Sequence, residues 1–495
     1  MKKQAFNNAL YLQEQSKHIM ERISQFGNKL YLEFGGKLFD DYHASRVLPG
    51  FQPDSKLKML LTLSQHVEIV IAICAKDIEN TRIRSDLGIT YEDEVLRLID
   101  AFRASDLFVG SVVITQYANQ NAADKFKQRV ENLGVSVSTH YPIDGYPNNV
   151  GLIVSDAGYG KNDFIETSKS LVVVTAPGPG SGKMAVCLSQ LFHEHKRGRK
   201  AGYAKFETFP VWNLPLEHPV NLAYEAATAD LNDINMIDPF HLEAYGETSI
   251  NYNRDVKVFP VLNNILSKIM GDSIYKSPTD MGVNWCGYCI EDDEAARLAS
   301  KEEILRRYYH TKLDYKLGYI HQEAIEKIEI LMSQAKISTE ERSCAIRAMQ
   351  RAEETNAPAV AIELENRTIV SGRTTSLLGA SAAALLNALK VLANIDDKIH
   401  LISPEIIKPI QHLKVHSLGN NNPRLHTDEI LIALAISATQ NETAKCALAQ
   451  LDKLQQCEIH SSVILSQVDI NTIKKLGMNL TCEDQYQTKK LYHAK

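Results

Sequence analysis

The segment Leu171-Val-Val-Val-Thr-Ala-Pro-Gly-Pro-Gly-Ser-Gly-Lys183 decides the fold of the first half of this chain. Its apolar and β-branched start is typical of a buried strand, a glycine-rich turn follows, and a helical pattern begins at Met184. Glycines in such a turn let backbone N–H groups approach an anion, and the helix start adds partial positive charge. Because Lys183 adds a full charge, the segment predicts a phosphate-binding loop between a strand and a helix.

This loop is similar to the P-loop of nucleotide-hydrolysing proteins and departs from it at two positions. Pro177 replaces the first glycine of the pattern G-x-x-x-x-G-K-[ST], and Met184 replaces the hydroxyl residue that binds magnesium. A nucleotide with Mg²⁺ is the cofactor that the loop suggests, but the sequence identifies no metal ligand. The alternative is a connecting turn that ends in a surface lysine.

Apolar strands alternate with helical segments through the first half of the chain. The predicted strands are 29–34, 67–74, 107–115, 135–139 and 171–175, and the predicted helices are 9–26, 55–65, 91–102, 122–133, 161–169 and 184–196. Strands that are apolar throughout indicate a mostly parallel sheet covered on both faces, the doubly wound α/β fold. Ligands of such sheets bind beyond the carboxyl ends of the strands.

Three domains are predicted in the 495 residues. They are an α/β phosphate-binding domain over 1–285, a charged helical region over 286–355, and a C-terminal α/β subdomain over 356–495. The last begins with a hairpin of strands, which a helix, a strand, two helices, a strand, a helix and a final strand follow.

Further loops that carry glycine and lysine stand near strand ends of the first domain. In a parallel sheet such ends meet at one edge, so we expect the loops to converge on one crevice, although each alone fits a polar turn. The predicted phosphate-binding residues are Gly35, Gly36, Lys37, Gly158, Gly160, Lys161, Gly178, Gly180, Ser181, Gly182 and Lys183.

The segment between residues 221 and 255 carries acids, an imidazole and a guanidinium. Asp230, Asp233, His241 and Arg254 are the catalytic candidates, because such groups position a metal or nucleophile or act as a general base. Helix caps, turns and surface charge explain the same residues equally well.

Composition restricts the partners. A net charge of −6 argues against non-specific nucleic-acid binding. No secretory signal and no apolar run of membrane-spanning length is present, which predicts a cytoplasmic protein without membrane contact. Cys286 and Cys289 form a lone C-x-x-C without a second ligand pair, so packing is favoured over metal binding. The sequence leaves a homo-oligomer open.

From end to end, the chain resembles a bacterial family known as a domain of unknown function, numbered eighteen forty-six. Long strings carry the resemblance, among them Lys29-Leu-Tyr-Leu-Glu-Phe-Gly-Gly-Lys37, the loop segment above and Asn251-Tyr-Asn-Arg-Asp255. The resemblance implies an α/β N-terminal part, a helical part and a C-terminal subdomain similar to cytidine deaminases. No C-x-x-C follows residue 356, and His426-Thr-Asp428 lacks the glutamate that zinc deaminases use, which disfavours that chemistry.

The sequence therefore favours an enzyme that acts on a nucleotide or another phosphate-bearing small molecule, by phosphoryl transfer or ATP-dependent ligation. The alternative is a non-catalytic nucleotide or metabolite sensor, which the missing hydroxyl at Met184 favours. A structural assembly protein is a weaker third reading, supported only by the charged helical middle.

Overall fold

The computed structural model describes residues 3–39, 41–84, 87–272 and 274–487. The chain divides into two compact units. The first consists of Gln4–Glu225 with Asp233–Ala299, and the second of Ala226–Asn232 with the chain from Ser300 onward. The division into three domains stays a prediction.

The first unit alternates strands with helices. Its strands are β1 (Leu30–Phe34), β2 (Val67–Cys74), β3 (Ile83–Arg84), β4 (Ile89–Thr90), β5 (Phe108–Thr115), β6 (Ser136–Thr139), β7 (Leu171–Thr175), β8 (Gly202–Phe206), β9 (Asn235–Ile237) and β10 (Ile250–Tyr252). Its helices are α1 (Asn8–Gln25), α2 (Tyr42–Val47), α3 (Ser55–Thr62), α4 (Ala75–Glu79), α5 (Tyr91–Ala104), α6 (Asn121–Asn132), α7 (Val150–Ile153), α8 (Lys183–Lys196), α9 (Pro219–Ala227), α10 (Pro239–Tyr245), α11 (Asn253–Met270) and α12 (Pro278–Met281).

A six-stranded sheet with the order β6-β5-β2-β7-β1-β8 organises this unit, and its paired strands run parallel. The predicted α/β fold with a mostly parallel sheet is thus confirmed. Every residue of β2 and β7 is buried, which explains why these strands are largely apolar. The one charged residue, Glu68 on β2, accepts hydrogen bonds from the backbone N–H groups of Ser168 and Lys169. From β2 the chain adds β5 and β6 outward, and then returns to place β7 between β2 and β1. Loops on the two sides of such a reversal point diverge, which opens a crevice at the carboxyl ends of the strands.

Two element predictions for the first unit need correction. The helix predicted over 161–169 is wrong: a single 3₁₀ turn covers Tyr159–Lys161, and an irregular segment follows. Here the side chains of Asn162 and Asp163 accept hydrogen bonds from Tyr141 and Thr139 at the end of β6, which commits this segment to the sheet edge. Strand β8, the sixth in the sheet, was not predicted.

The second unit is built from helices around a smaller sheet. Its helices are α13 (Asp293–Lys316), which begins in the first unit, α14 (Glu323–Ala335), α15 (Ser343–Thr355), α16 (Ala380–Leu392), α17 (Pro404–His412), α18 (Thr427–Ser437), α19 (Glu442–Leu448) and α20 (Gln467–Lys475). Its strands are β11 (Ala359–Glu363), β12 (Ile369–Arg373), β13 (Glu458–Ser461) and β14 (Asn479–Cys482), in the order β12-β11-β13-β14. The strand predicted after the first helix of this region is absent from the described residues between α16 and α17, where irregular chain leads to α17.

A buried ionic network ties the helices of the second unit to its sheet. Glu458 on β13 accepts hydrogen bonds from Arg306 at 2.7 Å and from Arg342 at 3.0 Å, and all three side chains are buried. Charges survive in such an interior only when they are paired. This network therefore makes the packing of α13 against β13 specific. In the described parts of the chain, no helix is long and apolar enough to span a membrane.

Candidate functional site

The loop from Ala176 to Gly182 leaves the carboxyl end of β7 and ends where α8 begins at Lys183. Gly180 and Gly182 both occupy the left-handed region, with φ of 82° and 86°, whereas Ser181 between them does not. An alternation of left-handed and ordinary residues turns successive N–H groups toward one side and forms a concave anion-binding nest. The loop thus has the backbone geometry that phosphate binding needs.

The N–H groups of this loop have no acceptor in the described protein. Seven backbone N–H groups donate no hydrogen bond to another described residue. They belong to Gly178, Gly180, Ser181, Gly182, Lys183, Met184 and Ala185. The first N–H groups of any helix lack an intrahelical partner, but those of the preceding turn are normally satisfied. Gly180 is exposed, and Gly178, Gly182 and Lys183 are half-buried, so an external group can reach their N–H groups. We infer that an external acceptor completes the loop.

Side chains from the neighbouring strands fix the loop in place. The Thr115 hydroxyl at the end of β5 donates to the Ser181 carbonyl at 2.8 Å, and the Ser181 hydroxyl donates to the Gly178 carbonyl at 3.0 Å. On the open side, the Arg82 guanidinium lies over the Tyr91 ring and donates to the Pro179 carbonyl at 3.4 Å. Arg82, which also forms an ion pair with Asp77 at 3.2 Å, therefore places a second cation beside the loop.

The ends of β1 and β8 lie at the same level as the start of the loop. The register pairs Glu33 with Val174 on one side and Phe34 with Phe206 on the other. The residues that follow β7 and those that follow β8 are therefore about two strand spacings, or about 10 Å, apart across the edge. At Gly35, a Cβ atom would stand 2.5 Å from Cγ of Glu207, so only glycine lets that side chain lie across the end of β1.

Glu207 belongs to a cluster of charges that we call the recess: Glu33, Lys205, Glu207 and Asp255. Lys205 Nζ lies 3.1 Å from Glu207 Oε1 and donates to Asp255, while the Tyr203 hydroxyl donates to Glu33 at 2.7 Å. Burial alone would lower the pKa of Lys205, but Asp255, Glu207 and Glu33 together raise it. Three carboxylates thus share one ammonium group.

Glu207 has a perturbed pKa within the recess. Burial raises its pKa to about 7, Lys205 opposes the shift, and Asp255 and Glu33 reinforce it. The side chain nevertheless keeps 25 % of its surface open to solvent. A carboxyl that is desolvated yet reachable, with a pKa near neutral pH, is suited to accept or return a proton.

Contacts from α8 and from the β6–β7 connection join the loop to the recess. Burial raises the pKa of the Cys187 thiol on α8, and both Glu33 and Lys183 act on it through space. Burial also raises the pKa of Tyr146 in the β6–β7 connection, and the charge of Glu33 adds to the shift. The charge of Glu33 therefore acts on groups from both α8 and the β6–β7 connection.

The other predicted phosphate-binding residues lie around this site in different roles. Gly158 and Gly160 flank the buried Tyr159 in the β6–β7 connection, and Lys161 is exposed. Gly36 lies beside the ammonium of Lys56, which is buried in an ion pair with Asp41 at 2.8 Å. Lys37 is exposed. Whether these residues contact a ligand stays a prediction.

The structure separates the four catalytic candidates. Asp233 and Arg254 form an ion pair at 3.2 Å, and the charge of Asp255 also acts on Arg254. This pair adjoins the recess. Asp230 belongs to the second unit and is exposed there.

His241 lies on α10, in a setting of its own. Its Nδ1 is 3.1 Å from the Ser277 hydroxyl and 3.8 Å from Asp280, two residues that form the capping box of α12. Through these contacts the His241 imidazole holds α10 against α12, which is a structural role. Its catalytic role stays a prediction.

Metal ligands and surface depressions give no second site. Across the described ranges, no group of three or more His, Cys, Asp or Glu side chains is arranged to hold a metal ion. One surface depression of about 500 Å³ is lined by residues that include Phe108 and Lys169. Another of about 450 Å³ is lined by residues that include Phe192 and Lys268. Neither lining contains a residue of the Ala176–Lys183 loop.

Arg82, Lys205 and Glu207 are the residues that sequence reasoning did not select. Arg82 reaches the loop from the connection after β2, and the other two depend on β8. One signal was available: Lys205 stands in an otherwise apolar run with Glu207 two residues later, and a lysine in a buried strand requires carboxylate partners.

Comparison with known proteins places the whole chain in one family. Residues 4–336 match the model described as domain of unknown function DUF1846, N-terminal, and residues 340–492 match the corresponding C-terminal model. Proteins named UPF0371 protein from Streptococcus pneumoniae strains Hungary19A-6 and JJA are 57% identical over 492 residues, which covers 99% of this chain and 100% of each relative. The chain belongs to this family, as the resemblance of its sequence predicts.

Proposed function

We propose that this protein is an enzyme that binds a nucleotide or another phosphate-bearing small molecule at the carboxyl edge of its parallel sheet. The observation that carries the proposal is the run of N–H groups from Gly178 to Ala185 that have no protein acceptor within the described chain. A phosphate would accept from these groups, while Lys183 and Arg82 would balance its charge. The loop would then act as a P-loop-like anion site without the magnesium-binding hydroxyl.

The recess supplies the reactive groups of the proposed enzyme. Glu207 would act as a general base or acid toward the ligand, and Lys205 would stabilise its ionised form. Phosphoryl transfer and ATP-dependent ligation both need a phosphate held in place beside a proton acceptor. No step of this proposal requires a metal ligand from the chain.

Ligand-induced stabilisation tests the proposal. Melting temperatures would be measured with ATP, GTP and sugar phosphates, each with and without magnesium, because a ligand that binds only the folded state raises the melting temperature. We expect at least one phosphorylated compound to raise it, and the Gly182→Val variant to lose the effect. No shift with any phosphorylated compound would refute the proposal.

A non-catalytic sensor is the second candidate function. Met184 favours it, since the side chain that follows the loop lysine offers no hydroxyl to a metal-bound triphosphate. A sensor would bind the ligand that the thermal screen identifies and leave it unchanged. ³¹P NMR of that ligand after incubation with the protein would distinguish the two functions, because turnover creates a new phosphorus signal.

We propose that the second unit has a sheet similar to that of cytidine deaminases and acts without zinc chemistry, because no C-x-x-C follows residue 356. His426 Nδ1 lies 2.9 Å from Asp469, and Ser466 and Thr427 donate to the same carboxylate. These contacts join the starts of α18 and α20. We further propose a cytoplasmic location, since the cysteines are free and all except Cys446 are buried, as in a reducing compartment.

A further inference from the structure

The charge distribution at the sheet edge changes sign between the loop and the recess. Lys183 and Arg82 accompany the N–H groups of the loop, and both are cations. In the recess, Glu33, Glu207 and Asp255 surround the single ammonium of Lys205. An anion is therefore favoured at the loop and disfavoured in the recess, because like charges at short range repel.

The recess offers acceptors more than donors. An ionised carboxylate accepts hydrogen bonds through two oxygens, and the Lys205 ammonium is already engaged by Asp255 and Glu207. Glu207 keeps 25 % of its side chain accessible, so a ligand can reach it. The group that fits here donates hydrogen bonds and carries no negative charge, as is true of sugar hydroxyls.

The distance between the two regions limits the size of the ligand. The loop and Glu207 follow strands that flank β1 on either side, about 10 Å apart. A phosphate esterified to a single sugar spans such a gap, whereas an extended polyphosphate would bring negative charge into the recess.

From this arrangement we propose the substrate class of the site: a phosphate ester of a sugar or similar polyol, whose phosphate binds the Gly178–Lys183 loop and whose hydroxyl groups donate to Glu207. The inference rests on the proposed function, since it requires that the loop bind phosphate. It adds that specificity comes from the recess. Removing a hydrogen bond to a charged acceptor costs about tenfold or more in affinity.

Calorimetric titration with four ligands tests this assignment: inorganic phosphate, glucose 6-phosphate, 3-phosphoglycerate and ATP. We expect wild-type protein to bind glucose 6-phosphate at least tenfold more tightly than the other three. 3-Phosphoglycerate is the sharpest comparison, because it carries a carboxylate in place of a set of hydroxyls.

The Glu207→Gln variant separates the recess from the loop. We expect it to lose about tenfold in affinity for glucose 6-phosphate while its affinity for inorganic phosphate changes less than twofold. Glu131→Gln, an exposed position on α6 at the opposite edge of the sheet, is the matched control and should change neither value. Circular dichroism and melting curves establish that each variant is folded.

The outcomes distinguish the two levels of the proposal. If no phosphorylated ligand binds the wild type, the proposed function itself fails. If inorganic phosphate or ATP binds as tightly as glucose 6-phosphate, the loop proposal stands and the polyol assignment is refuted. This wild-type comparison is decisive even if Glu207→Gln does not fold. Equal losses for both ligands in a folded Glu207→Gln protein would also overturn the assignment.

Discussion

Replacing Gly182 by valine is the perturbation that separates a phosphate-binding loop from a connecting turn. Gly182 has a φ of 86°, and an added Cβ would lie 3.1 Å from both Oγ1 and Cγ2 of Thr115, the residue that holds the Ser181 carbonyl. Backbone strain of this kind costs about 1–3 kcal/mol. At about 2–4 °C per kcal/mol, the melting temperature should fall by about 2–12 °C.

The effect on binding should be much larger than the strain. The valine would displace Thr115 and turn the N–H groups of Gly182 and Lys183 away from the nest. Losing two hydrogen bonds to a charged ligand, each about 1.5–3 kcal/mol, corresponds to at least about 100-fold in affinity. Calorimetry with the best ligand of the thermal screen would measure this loss.

Gly134 provides the matched control. It has a φ of 71° in the turn between α6 and β6, and no atom lies within 4 Å of its Cβ position. Gly134→Val therefore imposes similar backbone strain away from the loop and should leave ligand affinity unchanged. A Gly182→Val protein that melts lower but binds the phosphate ligand normally would refute the assignment of the loop.

Three further predictions concern single side chains. Lys183→Ala should weaken phosphate binding about tenfold or more with little change in melting temperature, because the half-buried lysine contributes charge rather than packing. Equal affinities of wild type and variant in calorimetry would argue against the site. Glu458→Ala should lower the free energy of unfolding by about 3–5 kcal/mol in urea titrations, since it leaves Arg342 buried without its carboxylate partner, whereas Arg306 keeps Glu303. A loss below about 1 kcal/mol would show that the network is dispensable. The hydrogen bond to Asp469 raises the pKa of His426 above 6.5, so the interaction stabilises the fold fully below pH 6.5 and loses this effect as the pH rises through the raised value. His426→Gln should remove this part of the pH dependence of the free energy of unfolding. Identical pH profiles of wild type and variant would contradict the prediction.

The strand-and-loop pattern around the main loop could be predicted because it is local. The run of β-branched residues in β7 indicates a buried strand, and the glycines that follow indicate a turn. The anion-binding interpretation requires a positive φ angle at Gly180 or Gly182, and both residues have one. The parallel arrangement followed from the same apolar runs.

The recess could not be predicted, because it depends on the order of the strands. Glu33 and Glu207 are far apart in the sequence and meet only since β8 pairs with β1 at the sheet edge. Strand β8 itself carries Lys205 in its interior, which interrupts the apolar signal, and the lysine is tolerated only because carboxylates surround it. Asp230 and Asp233 illustrate the opposite error, since neighbours in sequence belong to different units.

The most direct test of the central claim is a crystal structure of the protein soaked in tungstate, a phosphate analogue that anomalous scattering locates without ambiguity. We predict a tungstate ion in the nest, with oxygens about 2.7–3.2 Å from the backbone nitrogens of Gly180, Gly182 and Lys183. Tungstate bound elsewhere, with this loop unoccupied, would contradict the account.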